Sequence, residues 1–239
     1  MATTSLSLGE HWEVFIKNEI ASGRYSSASE VGAAQMSLEL AHDLATSNDP
    51  RILKILENVI LLLVPSLNPD GMDMVVDWYE RYVGTPMEGG SMPWLYQRYV
   101  GHDNNRDMYM YTQQETRLIG EILQRADDLG AAAPADATGM YLDIHSYSEL
   151  VLWPWGFTGT PTGNGAALQT LGRKLAFFND HTPQQGTELY VTDGSTKDFY
   201  YGELGVAGLV FEIGTIFFES CSYFESSILP GNLDALLYA

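Results

Sequence analysis

One histidine, His145, and one glutamate, Glu212, each stand at or near the end of an apolar run, in YLDIH and GVAGLVFEIG. Such runs predict buried β-strands, and the ends of neighbouring strands form the ligand crevices of open α/β sheets. A histidine at a strand end is either a metal ligand or a hydrogen-bonded structural residue. Both alternatives stay open on these two residues, which are the first candidates for a functional site.

Composition limits the partners that such a site could have. The chain of 239 residues has 12 Lys and Arg against 31 Asp and Glu, a net charge of −19 that disfavours nucleic acid as a partner. Cys221 is the single cysteine, which excludes an internal disulfide and a cysteine-built zinc site. Any bound metal must therefore be held by histidine and carboxylate side chains. We expect a soluble chain without a membrane span, because no run approaches the roughly 18 apolar residues that a span requires. We also expect no signal peptide, because MATTSLSLGEHWEV lacks a basic region followed by an apolar core.

The pattern of apolar residues predicts one main α/β domain. Helices are expected over 26–46, over TQQETRLIGEILQRADDL, around AALQTLGRKLAFFN and in PGNLDALLYA, and strands in ILENVILLLVP, YLDIH, LVLW, near ELYV and in GVAGLVFEIG. SLNPDGMD is interpreted as a loop and 77–107 as a long irregular segment. Alternation of such elements favours a mixed, largely parallel sheet with helices on both faces. Upstream, TSLSL and GEHWEVFIKNEIASGRY predict a short strand followed by a helix.

Four motifs together resemble the zinc carboxypeptidases of the carboxypeptidase A type. They are NPDG at 68–71, DNNRD at 103–107, LDIHSYSELVLWPWG, and LYVTDGSTKDFYYGELGVAGLVFEIG, and they occur in the family's order. The resemblance covers roughly residues 30–239 and leaves out the first strands of the family fold. It implies a truncated carboxypeptidase-like domain that hydrolyses the C-terminal bonds of peptides or proteins and binds one Zn²⁺ per chain.

The resemblance also implies roles for individual residues. His145 corresponds to the family's late zinc-binding histidine, and Glu212 to the glutamate that serves as general base and acid. Asn105 and Arg106 correspond to the pair that binds the terminal carboxylate of the substrate, a task that suits the planar guanidinium. Tyr190 corresponds to the tyrosine that closes over the substrate.

Three further positions affect specificity and metal binding. Lys197 falls where the family places the floor of the pocket for the C-terminal side chain, and a cation there would favour acidic residues. Glu30 falls on the early zinc-binding glutamate, although it is equally well explained as a residue in the first turn of a helix. The partner histidine position holds Ser27, and a hydroxyl is a poor zinc ligand. This copy could therefore be inactive.

Other residues could fill the remaining gaps. Of the other histidines, His102 is the best replacement ligand because it lies three residues from Asn105. Either Arg81 or Arg98 could be the arginine that stabilises the oxyanion.

The first residues have a resemblance of their own. MATTSLSLGEHWEVFIKNEIASGRYSSASEV is similar to the ribbon-helix-helix start of ParD-type antitoxins. We therefore divide the chain into an antitoxin-like strand-helix arm at 1–30 and a carboxypeptidase-like domain at 31–239. The alternative function is a catalytically silent binding protein, or a module that forms a homodimer through the N-terminal arm.

Overall fold

The computed structural model describes residues 29–87, 103–123 and 137–239. The N-terminal strand and helix that the sequence predicts lie outside these ranges. The described helices are α1 (Ser29–Thr46), α2 (Pro50–Asn58), α3 (Pro69–Tyr82), α4 (Gln114–Leu123), α5 (Gly165–Asn179), α6 (Gly186–Leu189), α7 (Thr196–Leu204), α8 (Cys221–Tyr223) and α9 (Leu229–Tyr238), with a 3-10 turn at Asn104–Arg106 and a π-helical segment at Phe224–Ile228.

Within the described residues the strands β1 (Met140–His145), β2 (Leu150–Trp153), β3 (Thr182–Gln185) and β4 (Ala207–Glu212) form one mixed sheet in the order β1-β4-β2-β3. β1 is parallel to β4, β2 is parallel to β3, and β2 is antiparallel to β4. The prediction of a mixed, largely parallel sheet is confirmed. The predicted strands YLDIH, LVLW and GVAGLVFEIG correspond to β1, β2 and β4.

Helices cover both faces of this sheet, as the sequence predicts. On one face, alternate residues of β1, β2 and β4 pack with α1, α5 and α9 in the main apolar core, in which Met36, Val151, Leu175, Leu209 and Phe211 are buried. On the other face, Tyr141 stacks on Tyr200 of α7 with ring centroids 3.7 Å apart. Because side chains alternate along a strand, Asp143 and His145 share this second face with Tyr141.

One strand prediction and one loop prediction around the NPDG motif are wrong. The run ILENVILLLVP at 55–65 was expected to be a buried strand, but 55–58 belong to α2, 59–64 have no regular secondary structure, and Ile60 is 75% exposed. NPDG was expected to be a loop, but Asn68 caps α3 by accepting from Gly71 N, and Pro69 begins the helix. Proline is favoured in the first helical turn because its missing N–H group has no intrahelical partner there. Helix α3 also extends through Tyr82, into the segment that was expected to be irregular.

The strand predicted near ELYV is also misplaced. The strand is β3, which lies earlier, at Thr182–Gln185, while Gly186–Leu189 forms the short helix α6. A capping box between Gln185 and Glu188 stabilises this helical turn. Tyr190 follows it in extended conformation, with φ of −169° and ψ of 159°.

Among the described helices, none has the length and apolar character needed to cross a membrane.

Candidate active site

The carboxyl ends of β1 and β4 bring together the two residues on which the sequence prediction depends. His145 and Glu212 are the last residues of their strands and are direct partners in the parallel register. Burial raises the pKa of Glu212, and the negative charge of Asp143 adds to this, while His145, Arg106 and Lys197 oppose it. The charges of these four residues therefore act on the Glu212 carboxyl group.

Asp143 is a site residue that the sequence prediction missed. Its Oδ2 lies 2.9 Å from His145 Nε2 and accepts a hydrogen bond from Thr196 Oγ1. Burial alone would raise the pKa of Asp143, but His145 and these hydrogen bonds hold it below its usual value. The sequence contained a signal for this contact, because residues two apart on a strand point to the same face.

Asn105 connects the DNNRD segment to the strand ends. Asp103 caps the 3-10 turn by accepting from Asn105 N at 2.9 Å. The Asn105 side chain then reaches Thr196 N through Oδ1 at 3.2 Å and lies with Nδ2 3.4 Å from His145 Nε2. Two motifs that are 40 residues apart in the sequence therefore meet at one point.

Arg106 and Tyr190 are in direct contact. Arg106 Nη2 donates to the Tyr190 hydroxyl at 2.7 Å, and the guanidinium carbon lies 5.6 Å from the centre of the tyrosine ring. Met108 N donates to Gly194 O at 3.1 Å, which ties the two loops together. Gly194 has a φ of +65°, and a Cβ atom there would lie 2.4 Å from Arg106 O. Glycine is therefore required for the close approach of these loops.

A buried carboxylate next to Arg106 fixes the loop from the other side. Asp107 is fully buried and accepts hydrogen bonds from Thr112 N, Thr112 Oγ1, Gln113 N and Thr116 Oγ1. Burial alone would raise the pKa of Asp107, but these hydrogen bonds lower it to about 2. The carboxylate thus joins the backbone of the Arg106 loop to the start of α4.

Lys197 lies in the first turn of α7 and is buried, with an exposed fraction of 3%. Lys197 is therefore not a solvent-exposed loop residue. Its Nζ donates to Asp198 Oδ1 at 3.0 Å and to Ser195 Oγ at 3.1 Å. Burial lowers the pKa of Lys197, and Asp198 opposes this. Added Cβ atoms at Gly156 and Gly186 would lie 2.5 Å from its Nζ and 2.8 Å from its Cε, so both glycines make room for this side chain.

The remaining candidate residues are not brought into this cluster by the described part of the structure. Glu30 lies in the first turn of α1, but the structure does not describe its side chain. Ser27, His102 and Arg98 lie outside the described residues. Arg81 is exposed on the last turn of α3, and His42 is exposed on α1. His181 is buried between α5 and β3.

A sequence model of the family described as zinc carboxypeptidase matches residues 26–226, most of the chain. The chain belongs to the zinc carboxypeptidase family. This confirms the resemblance drawn from the four motifs. Family membership implies Zn²⁺ as the cofactor and a peptide as the substrate of a family member.

Two curated relatives illustrate the range of this family. A zinc carboxypeptidase of Saccharothrix mutabilis subsp. capreolus is 39% identical over 79 residues, which are 30% of this chain and 18% of the relative. An inactive metallocarboxypeptidase, ecm14, of Talaromyces marneffei is 27% identical over 202 residues, which are 66% of this chain and 32% of the relative. The match spans less than a third of the length of each.

A solved structure shares the fold. The crystal structure of thrombin activatable fibrinolysis inhibitor superposes with a TM-score of 0.67 at 16% identity, covering 88% of this chain and 58% of that one. At 16% identity, this similarity shows a shared fold and nothing more.

At the N-terminus, a second sequence model, of the ParD-type bacterial antitoxins, matches residues 1–46. The antitoxin resemblance is thus confirmed as a sequence match.

The donor set of this carboxypeptidase-family chain fits zinc in part. His145 is an imidazole at the open edge of the sheet, and a carboxylate contacts it, as is usual for zinc-binding histidines. Within 29–87, 103–123 and 137–239, no group of three histidine, cysteine or acidic side chains is arranged to hold a metal ion. Of the metal-ligand positions that the resemblance implies, His145 falls on a described side chain, whereas the side chains of Glu30 and Ser27 are not among those that the structure describes.

Proposed function

We propose that this chain is a metallocarboxypeptidase that hydrolyses the C-terminal peptide bond of peptides. The main support is the register partnership of His145 and Glu212 at one end of two parallel strands. That pairing would place a metal ligand beside a carboxylate, in a family whose members are zinc peptidases. When bound, Zn²⁺ would supply an activated water and a Lewis acid for the scissile carbonyl.

Glu212 is proposed as the general base and acid. Its carboxylate would accept the proton of the attacking water and then deliver that proton to the nitrogen of the departing amine. The raised pKa of Glu212 suits this exchange, because a carboxyl group with a higher proton affinity is a stronger base. His145 is proposed as one metal ligand and Glu30 as a second.

Asn105, Arg106 and Tyr190 are proposed to bind the free carboxylate of the substrate. The guanidinium of Arg106 offers paired donors that match a carboxylate, and the amide of Asn105 lies in the adjacent position of the same turn. Tyr190 already contacts Arg106, so its hydroxyl lies where it can close over a bound carboxylate. This set would select the last residue of a chain over internal residues.

Lys197 is proposed to select acidic C-terminal side chains. An ammonium group has three donors, and Ser195 and Asp198 use two of them. The third could bind a substrate carboxylate in a site where burial makes a charged contact strong. An apolar side chain would instead leave this donor without an acceptor.

A catalytically silent, peptide-binding protein is the second candidate. It is favoured by Ser27 at the first histidine position and by the presence of an inactive metallocarboxypeptidase among the relatives.

A homodimer formed through the N-terminal arm is a separate proposal, which the antitoxin-like sequence match supports. Light scattering after size-exclusion chromatography tests that arm, and a monomer would count against it.

The deciding experiment compares zinc-loaded wild-type protein with the Glu212→Gln and Lys197→Met variants on two peptides that differ only in a terminal Glu or Phe. We expect zinc-dependent release of the terminal residue, a preference of wild type for Glu, loss of turnover in Glu212→Gln, and loss of the preference in Lys197→Met. Peptide binding without turnover by the zinc-loaded wild type would support the silent candidate. A wild-type preference for Phe would overturn the role of Lys197.

A further inference from the structure

Asp143 and His145 lie on the same face of β1, two residues apart, and their side chains meet directly. Asp143 Oδ2 is 2.9 Å from His145 Nε2, a distance typical of a charge-assisted hydrogen bond. A carboxylate accepts hydrogen bonds and cannot donate them, so the proton in this contact is on Nε2. In the neutral imidazole the lone pair is then on Nδ1.

A second group near Nε2 favours the opposite tautomer, but its contact is the longer of the two. The Asn105 amide nitrogen lies 3.4 Å from Nε2 and could donate only if Nε2 carried the lone pair. That contact is longer than a normal N–H···N or N–H···O hydrogen bond and involves a neutral donor. The shorter contact, to a carboxylate, is the stronger of the two.

Thr196 holds the Asp143 carboxylate in place. Its Oγ1 donates to Asp143 Oδ2, the same oxygen that contacts His145. Its backbone N–H donates to Asn105 Oδ1 at 3.2 Å, which keeps the amide oxygen of Asn105 turned towards α7. Thr196 is 2% exposed, so neither contact competes strongly with bulk water.

We propose that Asp143, supported by Thr196, is a positioning residue that holds the His145 imidazole in its Nε2–H tautomer and so leaves the lone pair on Nδ1, the nitrogen that would then be able to bind a metal. The proposal rests on the proposed role of His145 as a metal ligand. The tautomer itself is a property of the metal-free chain and can be measured independently of peptidase activity. A carboxylate behind a metal-bound histidine typically changes metal affinity by about 10- to 100-fold.

The test uses the full chain labelled with ¹⁵N in histidine and freed of metal, at a pH at which imidazoles are neutral. Nitrogen chemical shifts distinguish the two tautomers, and the spectrum of His145→Gln identifies the signals of His145. We expect the wild type to show Nε2–H alone. Asp143→Asn should populate the Nδ1–H form, because an amide nitrogen can donate to Nε2, whereas Asp77→Asn, an exposed change on α3, should leave the spectrum unchanged.

Zinc affinity gives the second measurement, by competition with a chelator. Asp143→Asn should bind zinc about 10- to 100-fold more weakly than wild type, Thr196→Val should lie between them, and Asp77→Asn should match wild type. An Nδ1–H tautomer in the wild type, or unchanged zinc affinity in Asp143→Asn, would overturn the proposal. If the wild type binds no zinc, the proposed function fails, while the tautomer measurement still decides whether Asp143 positions His145.

Discussion

His145 and Glu212 occupy matched positions at the carboxyl ends of two adjacent parallel strands, β1 and β4. Because parallel strands end at the same edge of a sheet, this register places an imidazole and a carboxylate side by side without the help of a loop. Sites built on strands hold their geometry better than sites built on loops. The loops that carry Arg106 and Tyr190 then meet above this edge.

The first prediction concerns the carboxylate of this pair. Glu212→Gln should lower peptide hydrolysis by about 10²- to 10⁴-fold, because the amide cannot accept the proton of the attacking water. Peptide affinity should stay within a few-fold of wild type, since Arg106 and Asn105 are unchanged. Single-turnover kinetics and calorimetry measure the two quantities. Glu203→Gln, an exposed change on α7, is the matched control, and equal losses in both variants would contradict the prediction.

The second prediction concerns Asp107. Asp107→Ala should lower the free energy of unfolding by about 3 kcal/mol, because it removes the charged acceptor of four hydrogen bonds and leaves the buried Thr116 hydroxyl without this partner. Urea denaturation measures this change. Asp73→Ala, on the exposed side of α3, should be nearly neutral. A loss as small as that of the control would mean that the Asp107 contacts do not stabilise the loop.

Asp107 also predicts a dependence on pH. Its folded pKa of about 2 is below that of an unfolded aspartate, so its stabilising contribution is complete above pH ~4 and is lost as pH falls towards 2. The urea midpoint of the wild type should therefore fall more steeply than that of Asp107→Ala across this range.

The third prediction concerns the contact between the two loops. Gly194→Ala should destabilise the protein by about 1–3 kcal/mol, because alanine is strained at this positive φ and its Cβ would collide with Arg106 O. Displacement of Arg106 should also raise KM for peptides more than it lowers kcat. Gly163→Ala is the control, since an added Cβ there meets nothing within 4 Å. Equal KM values in the two variants would show that Gly194 does not position Arg106.

Short-range patterns were sufficient to predict β1, β2, β4, α5 and α9. In these elements the apolar residues that define the pattern are also the ones that pack in the core, as Val151, Leu209 and Phe211 do. Local propensity and tertiary packing therefore agree there. The same agreement placed His145 and Glu212 at or near strand ends, although only the register of the sheet made them neighbours.

The failures occur where tertiary contacts or capping decide the structure. The run at 59–64 has the composition of a buried strand, yet Ile60 and its neighbours are exposed, because β-propensity requires a partner strand and a covering face. NPDG looks like a turn, but its asparagine and proline are also the residues that begin a helix. Thr196 was missed because its role depends on a contact with Asp143, which is 53 residues away in the sequence. Asp143 itself could have been found from its two-residue spacing to His145 on one strand.

The last prediction concerns His181, which is 8% exposed and follows α5. Burial lowers the pKa of its imidazole from 6.5 to about 4, although the contact with the Leu150 backbone and the charge of Asp180 oppose this. As pH falls, the unfolded chain therefore protonates this residue at a higher pH than the folded chain does. Stability should fall as pH decreases from about 6.5 to 4, with a loss of about 3 kcal/mol at most.

His181→Gln should remove this loss, because glutamine does not titrate. The change is measured by urea denaturation at a series of pH values between 4 and 7.5. His42→Gln, at an exposed position of α1, should keep the wild-type slope. If His181→Gln and wild type lose stability in parallel over this range, other groups cause the acid sensitivity. A flatter curve for His181→Gln alone would show that one buried neutral imidazole limits the stability of this fold in mild acid.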